Sequence, residues 1–167
     1  MNKKTLNTGV KLRFCEFPIF ENSMLAGLKH LNRIDSVMAR SEWEEDEFFD
    51  GVMLDNSESI IDGTMTNLFF SKNNVLYTPI IKKSGINGIM RQVVIDNAKL
   101  FFKEVCEIEI KRRTISTFDE MFVTNSVIKI LPVTHLSNKK FETTDATREM
   151  INFFFSKNKR SKNLELV

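Results

Sequence analysis

Residues 48–78 limit the possible folds more than any other part of the chain. Residues 48–54 read as a strand, Asp55-Asn56-Ser57-Glu58 as a turn, and 59–63 and 66–71 as further extended runs. Asn73-Asn74 then divides two apolar runs, and asparagine tolerates the positive φ that a two-residue hairpin demands. The pattern predicts an antiparallel meander with Asp62 in its middle.

The flanking sequence supplies helices and more strands. Residues 9–15 read as a strand closed by Pro18. Leu31, Ile34, Val37 and Met38 recur at three- and four-residue spacing, which predicts an amphipathic helix over 31–43. A second helix follows Gly85-Ile86-Asn87-Gly88, with Val93, Val94, Ala98, Phe101 and Phe102 as its apolar face. Strands are expected at 107–111, 121–124 and 130–134, a helical turn at 116–120, and a last helix at 144–155. No repeat or linker interrupts the pattern, so residues 1–167 read as one mixed α/β domain.

The chain has 167 residues, is 42% hydrophobic and carries a net charge of +2, enough for a sizeable core and too apolar for disorder. Basic residues are scattered, so no nucleic-acid partner is expected. The first residues carry charge without an apolar export core, and no run is long enough to span a membrane. Two cysteines and two well-separated histidines indicate neither a disulfide scaffold nor a metal site. The expectation is a cytoplasmic, metal-free protein. Fifteen phenylalanines against one Trp and one Tyr point to packing rather than function.

Four positions carry potential chemistry. Lys29 follows the small, apolar approach Leu25-Ala26-Gly27-Leu28, and a lysine in low-dielectric surroundings can lose its proton and act as a Schiff-base amine. Two glycines before a helix leave its first N–H groups free, so Gly88 with the N–H groups of Ile89 and Met90 forms a candidate phosphate seat. Asp62, between Ile60-Ile61 and Gly63, could be a fixed negative charge able to keep a ring nitrogen protonated. Thr124-Asn125-Ser126-Val127 offers hydroxyls and N–H groups at a strand end. Each has a plainer reading by itself: a surface lysine, an ordinary loop-to-helix turn, a solvated acid, a simple turn. Their order along the chain is what favours the functional reading.

That order resembles the class IV (fold-type IV) pyridoxal-phosphate enzymes, among them branched-chain and D-amino acid aminotransferases and 4-amino-4-deoxychorismate lyase. The resemblance runs from about Leu25 to Val133 and rests on Leu25-Ala26-Gly27-Leu28-Lys29-His30-Leu31-Asn32-Arg33, Val75-Leu76-Tyr77-Thr78-Pro79, Gly88-Ile89-Met90-Arg91, Asp119-Glu120-Met121-Phe122 and 125–133. The first of these stretches and Gly-Ile-Met-Arg are closest to the lyases. The resemblance implies the large C-terminal domain of that fold, a strand-rich, barrel-like sheet with flanking helices, and it implies pyridoxal 5'-phosphate as cofactor. Lys29 would form the Schiff base and shuttle protons. Asp62 stands where the family usually carries a glutamate facing the pyridinium nitrogen. Ile89 and Met90 would bind phosphate through backbone N–H, Met90 replacing a threonine common in the aminotransferases. Ser126 would add its hydroxyl, and the 126–127 loop would offer N–H groups to a substrate carboxylate. A homodimer is implied, and the family's smaller N-terminal domain is expected to lie outside this chain. The implied reaction is lysis of 4-amino-4-deoxychorismate to p-aminobenzoate and pyruvate for folate. The alternatives are a class IV aminotransferase, or a non-catalytic domain that needs a partner chain.

Overall fold

Asn73 and Asn74 take φ values of 50° and 62°, so strands β4 (Asn67–Lys72) and β5 (Val75–Pro79) meet in the expected two-residue hairpin. The computed structural model describes residues 8–44 and 46–161. Its other strands are β1 (Val10–Phe14), β2 (Asp50–Leu54), β3 (Ser59–Gly63), β6 (Glu104–Ile108), β7 (Ile110–Lys111), β8 (Glu120–Asn125), β9 (Lys129–Leu136) and β10 (Lys139–Lys140). Helices α1 (Ile34–Arg40), α2 (Ile89–Asn97) and α3 (Asp145–Ser161) flank them. A 3-10 turn at Arg112–Thr117 stands a few residues before the expected helical turn. Among the described residues no helix is long and apolar enough to cross a membrane.

The strands join in the order β6-β5-β4-β8-β9-β1-β2-β3-β7, with β10 beside β9. β1 runs parallel to β2 and β9, and β6 parallel to β5, while the remaining pairs are antiparallel. The fold is mixed α/β, one large sheet with flanking helices. The two ends of the strand order, β6 and β7, are successive parts of one extended segment parted by Glu109. The segment pairs with β5 over Glu104 to Ile108 and with β3 at Ile110 and Lys111. The sheet therefore curls until its ends meet, as a barrel-like sheet must.

Strand β4 shows how the phenylalanines are used. Leu68 and Phe70 join the core inside the curled sheet with Val52, Met121 and Val123. Phe69 points outward, stacks on Phe122 with ring centroids 4.9 Å apart, and is roofed by Val94 of α2 and Met150 and Phe154 of α3. A strand buried on both faces reads as a continuous apolar run, as residues 68–70 do, with buried Asn67 and Ser71 at its ends. The packing reading of the phenylalanines holds for these rings.

Two expectations differ from the structure. The meander breaks between β3 and β4, which are not neighbours: β3 pairs with β2 and β7, and β4 with β5 and β8. The cause is a tight loop held by the buried Asp50. Asp50 accepts hydrogen bonds from the N–H and hydroxyl of Thr64 (3.1 and 2.6 Å) and from the Thr66 hydroxyl (2.6 Å), while Gly63 N–H donates to Thr66 O. The chain is turned away before β4 can lie beside β3. The first helix is also shorter than expected, and its faces are reversed: Leu31, Ile34, Val37 and Met38 are exposed, while Asp35, Ser36 and Ala39 are buried. Asp35 sits there because its carboxylate accepts the N–H groups of Phe20 and Ser36.

Candidate active site

Where β3 and β4 separate, a cleft of about 730 Å³ opens. Lys29, Asp62, Gly88, Ile89, Met90, Ser126 and Val127, all singled out from the sequence, line it together. Four chain segments far apart in sequence thus deliver their polar groups to one place.

The Lys29 segment is fixed to the loop before α2. Gly27, at φ +84°, accepts the N–H of Asn87 at 3.0 Å and donates its own N–H to Gly85 O at 2.9 Å. This two-way bridge sets Lys29 across from the helix start. The Lys29 side chain is exposed, and Leu28 and Leu31 turn outward rather than enclosing it. The apolar enclosure read from the sequence is therefore not formed by these neighbours, because α1 begins only at Ile34 and 28–33 run as an irregular segment.

Asp62 is buried at the end of β3, not on a solvated face. Its Oδ2 accepts the N–H of Ile86 at 3.1 Å, while Oδ1 is buried without a partner among the described residues. Loss of hydration pushes its carboxyl up to about 7, opposed by the Arg33 charge and the Ile86 N–H. An uncompensated carboxylate oxygen facing a cleft is a place for a cationic N–H.

At the N-terminus of α2, Gly88 is the cap residue with an extended backbone, and no side chain caps the helix. The N–H groups of Ile89 and Met90 find no protein acceptor among the described residues, so they remain open to an anion. Buried Arg91 anchors this helix end by donating to Asn87 Oδ1 (3.0 Å), Pro79 O (3.0 Å) and Glu107 (2.6 Å). Asn67, at the start of β4, donates to Ile86 O at 2.6 Å and braces the loop from inside.

The β8–β9 turn forms the facing wall. Asn125 Oδ1 accepts the N–H groups of Val127 and Ile128, each at 2.9 Å. This Asx turn takes up the Val127 N–H that the sequence reading had left for a substrate carboxylate. Ser126 is exposed, and its hydroxyl faces no such competitor.

Sequence reasoning missed a further cleft wall. Arg33, Ser36, Val37 and Arg40 also line the cleft, and their spacing places them on one face of α1 and its cap. The signal was present as cations at positions 29, 33 and 40, four and then seven residues apart. Of the apolar positions Leu31, Ile34, Val37 and Met38, Val37 alone lies on this cleft-lining face.

The geometry suits pyridoxal phosphate on three counts: a primary amine on the rim, an unpaired buried carboxylate oxygen, and an uncapped helix N-terminus. A class of enzyme built on that cofactor is what the comparisons return. Residues 9–136 match the family model for amino-transferase class IV, and the chain belongs to that family. An aminodeoxychorismate lyase of Vibrio harveyi is 34% identical over 129 residues, covering 77% of this chain and 48% of that protein. A branched-chain-amino-acid aminotransferase of Salmonella typhimurium is 33% identical over 102 residues, covering 61% of this chain and 33% of that protein. The crystal structure of 4-amino-4-deoxychorismate lyase from Pseudomonas aeruginosa superposes with a TM-score of 0.86 at 30% identity, covering 91% of this chain and 56% of that one. The chain thus spans between a third and just over half of the length of these relatives.

Proposed function

We propose that this chain is the cofactor-holding part of a pyridoxal-phosphate-dependent 4-amino-4-deoxychorismate lyase, which yields p-aminobenzoate and pyruvate. The observation that carries it is the unpaired Oδ1 of buried Asp62, in the same cleft as Lys29 and the open N–H groups of Ile89 and Met90. The lyase reading is supported by 34% identity over 77% of the chain and a TM-score of 0.86, against 34% identity over 67% of the chain for an aminotransferase of Methanocaldococcus jannaschii and a TM-score of 0.80 for the aminotransferase structure of Thermotoga maritima.

In this reading Ile89 and Met90 N–H and the Ser126 hydroxyl hold the phosphate, and ionised Asp62 faces the ring nitrogen as N–H⁺. Bound there, the cofactor supplies a cationic conjugated ring that draws electrons from the bonds next to the substrate's nitrogen. Lys29 Nζ would hold it covalently and, when free, would take the proton from the ring carbon that bears the substrate's amine. The carbon–oxygen bond to the enolpyruvyl group would break with its electron pair on oxygen, the ring would become aromatic, and the departing enolate would take up one proton on carbon to give pyruvate.

Borohydride treatment of the chain with pyridoxal phosphate, followed by peptide mass spectrometry, tests the assignment. A phosphopyridoxyl group on the peptide carrying Lys29 is expected, and none in Lys29→Ala. Labelling elsewhere, or unchanged labelling of the variant, sinks it. Pyruvate release from aminodeoxychorismate, set against amino transfer to 2-oxoglutarate, separates lyase from aminotransferase. A chain that takes up no cofactor at all supports the reading of a domain that needs a partner chain.

A further inference from the structure

The cleft carries more positive charge than a phosphate seat and one buried acid account for. Among the described residues its ionisable lining is Lys29, Arg33, Arg40 and Asp62: three cations and a single carboxyl. Among the described residues none of the three cations has a carboxylate within ion-pair distance. Lys29 has the covalent role assigned above. Arg33 donates to Ser36 Oγ and acts electrostatically on Asp62. Arg40 is the cation left without an anionic counterpart.

Arg40 is also the one most firmly held. Its guanidinium carbon lies 4.8 Å from the centroid of the Trp43 ring, and its Nη1 donates to Trp43 O at 3.1 Å. Trp43 is itself buried, its Nε1 donating to Phe48 O at 3.0 Å. A guanidinium stacked on a fixed indole is pre-organised, and its remaining N–H groups match the two oxygens of a carboxylate. Seven residues of helix carry Arg40 about 10 Å along α1 from Arg33, the cleft cation that follows Lys29 in the chain.

We infer that Arg40 is a specificity residue that binds a substrate carboxylate remote from the reacting amine. The substrate class is a cyclic 1,4-amino acid, with amine and carboxylate at opposite ends of a rigid ring. This rests on the reading of the cleft as a pyridoxal-phosphate site for aminodeoxychorismate, and it names the group that would reject branched-chain substrates. An isobutyl or isopropyl side chain set against Arg40 would strip water from a guanidinium and return no hydrogen bond.

The test is equilibrium titration of the 167-residue chain, with pyridoxal phosphate present, by 4-aminobenzoate and by its neutral isostere 4-aminobenzamide. Wild type is expected to bind the carboxylate about tenfold more tightly than the amide. That preference falls to within about twofold in Arg40→Gln, is partly kept in Arg40→Lys, and weakens with added salt. Far-ultraviolet dichroism and urea midpoints report that both variants keep the fold. Equal binding of the two probes by wild type, binding of neither, or a preference untouched in Arg40→Gln overturns the inference. Pyruvate release is scored separately. A preference that follows Arg40 without pyruvate release refutes the lyase reading alone. Pyruvate release with an intact preference in Arg40→Gln refutes this inference alone.

Discussion

Asn67 and Gly88 occupy each other's space so closely that neither tolerates a larger partner: a Cβ built on Gly88 would lie 2.3 Å from Asn67 Oδ1. Asn67 cannot swing aside without giving up its 2.6 Å bond to Ile86 O. Gly88→Ala should therefore push the α2 N-terminus out of place and weaken pyridoxal-phosphate binding by about tenfold or more. Fluorescence titration checks this. Adding Asn67→Ala should recover part of the loss, since it removes the obstructing oxygen.

Asp62 makes stability depend on pH. Burial raises its carboxyl from 3.8 in an open chain to about 7 in the fold, so the folded state binds the extra proton between those values. The stabilisation is complete below about pH 4 and is lost as pH rises through about 7. Asp50, also raised by burial, acts in the same direction. Cofactor-free wild type should unfold at lower urea concentration at pH 8 than at pH 5. Asp62→Asn should flatten that difference, by up to about 3 kcal/mol. Urea midpoints that fall more steeply with pH in the variant than in wild type would contradict this.

The β4–β5 hairpin offers a backbone test. Asn74 sits at φ 62°, where alanine is strained and glycine is not. Asn74→Ala should cost about 1 kcal/mol, and Asn74→Gly should be close to neutral. Thermal unfolding of the two variants measures the gap directly.

Arg91 ties α2 to the sheet through Asn87, Pro79 and Glu107. Its side chain is buried, while that of Glu107 is about half exposed. Arg91→Met should cost about 3 kcal/mol or more, because it strands the acceptors it served. Glu107→Gln should cost about 1 kcal/mol, since two other acceptors still satisfy the guanidinium. Chemical denaturation of the two variants compares them.

Strand positions and the Asn73-Asn74 turn were legible because alternation and turn chemistry are local. Partner choice was not. Nothing in residues 59–72 announces that Asp50, from the preceding strand, holds Thr64 and Thr66 and parts β3 from β4. The cleft depends on that separation. Lys29, Asp62 and the glycine-flanked helix start were found by their order, yet Arg40 was not, because a cation on an exposed helix reads as solvation. Likewise the spacing of Leu31, Ile34, Val37 and Met38 marks an apolar face without saying which face the chain covers. Asp35, with its two N–H partners, decided that in the opposite sense.

The step at Glu109 gives the barrel a seam whose alignment is counted in single residues. Ile110 is nearly fully buried and pairs with Ile60, two positions before Asp62 on the same strand. One residue inserted at the seam would exchange inward and outward positions on the far side and turn Ile110 out to solvent. The strand that presents Asp62 would then have to slide against its neighbour or lose that neighbour. The placement of the cleft's buried acid is thus set partly by the chain length between Glu104 and Lys111, in a segment that supplies no group to the cleft's lining among the described residues.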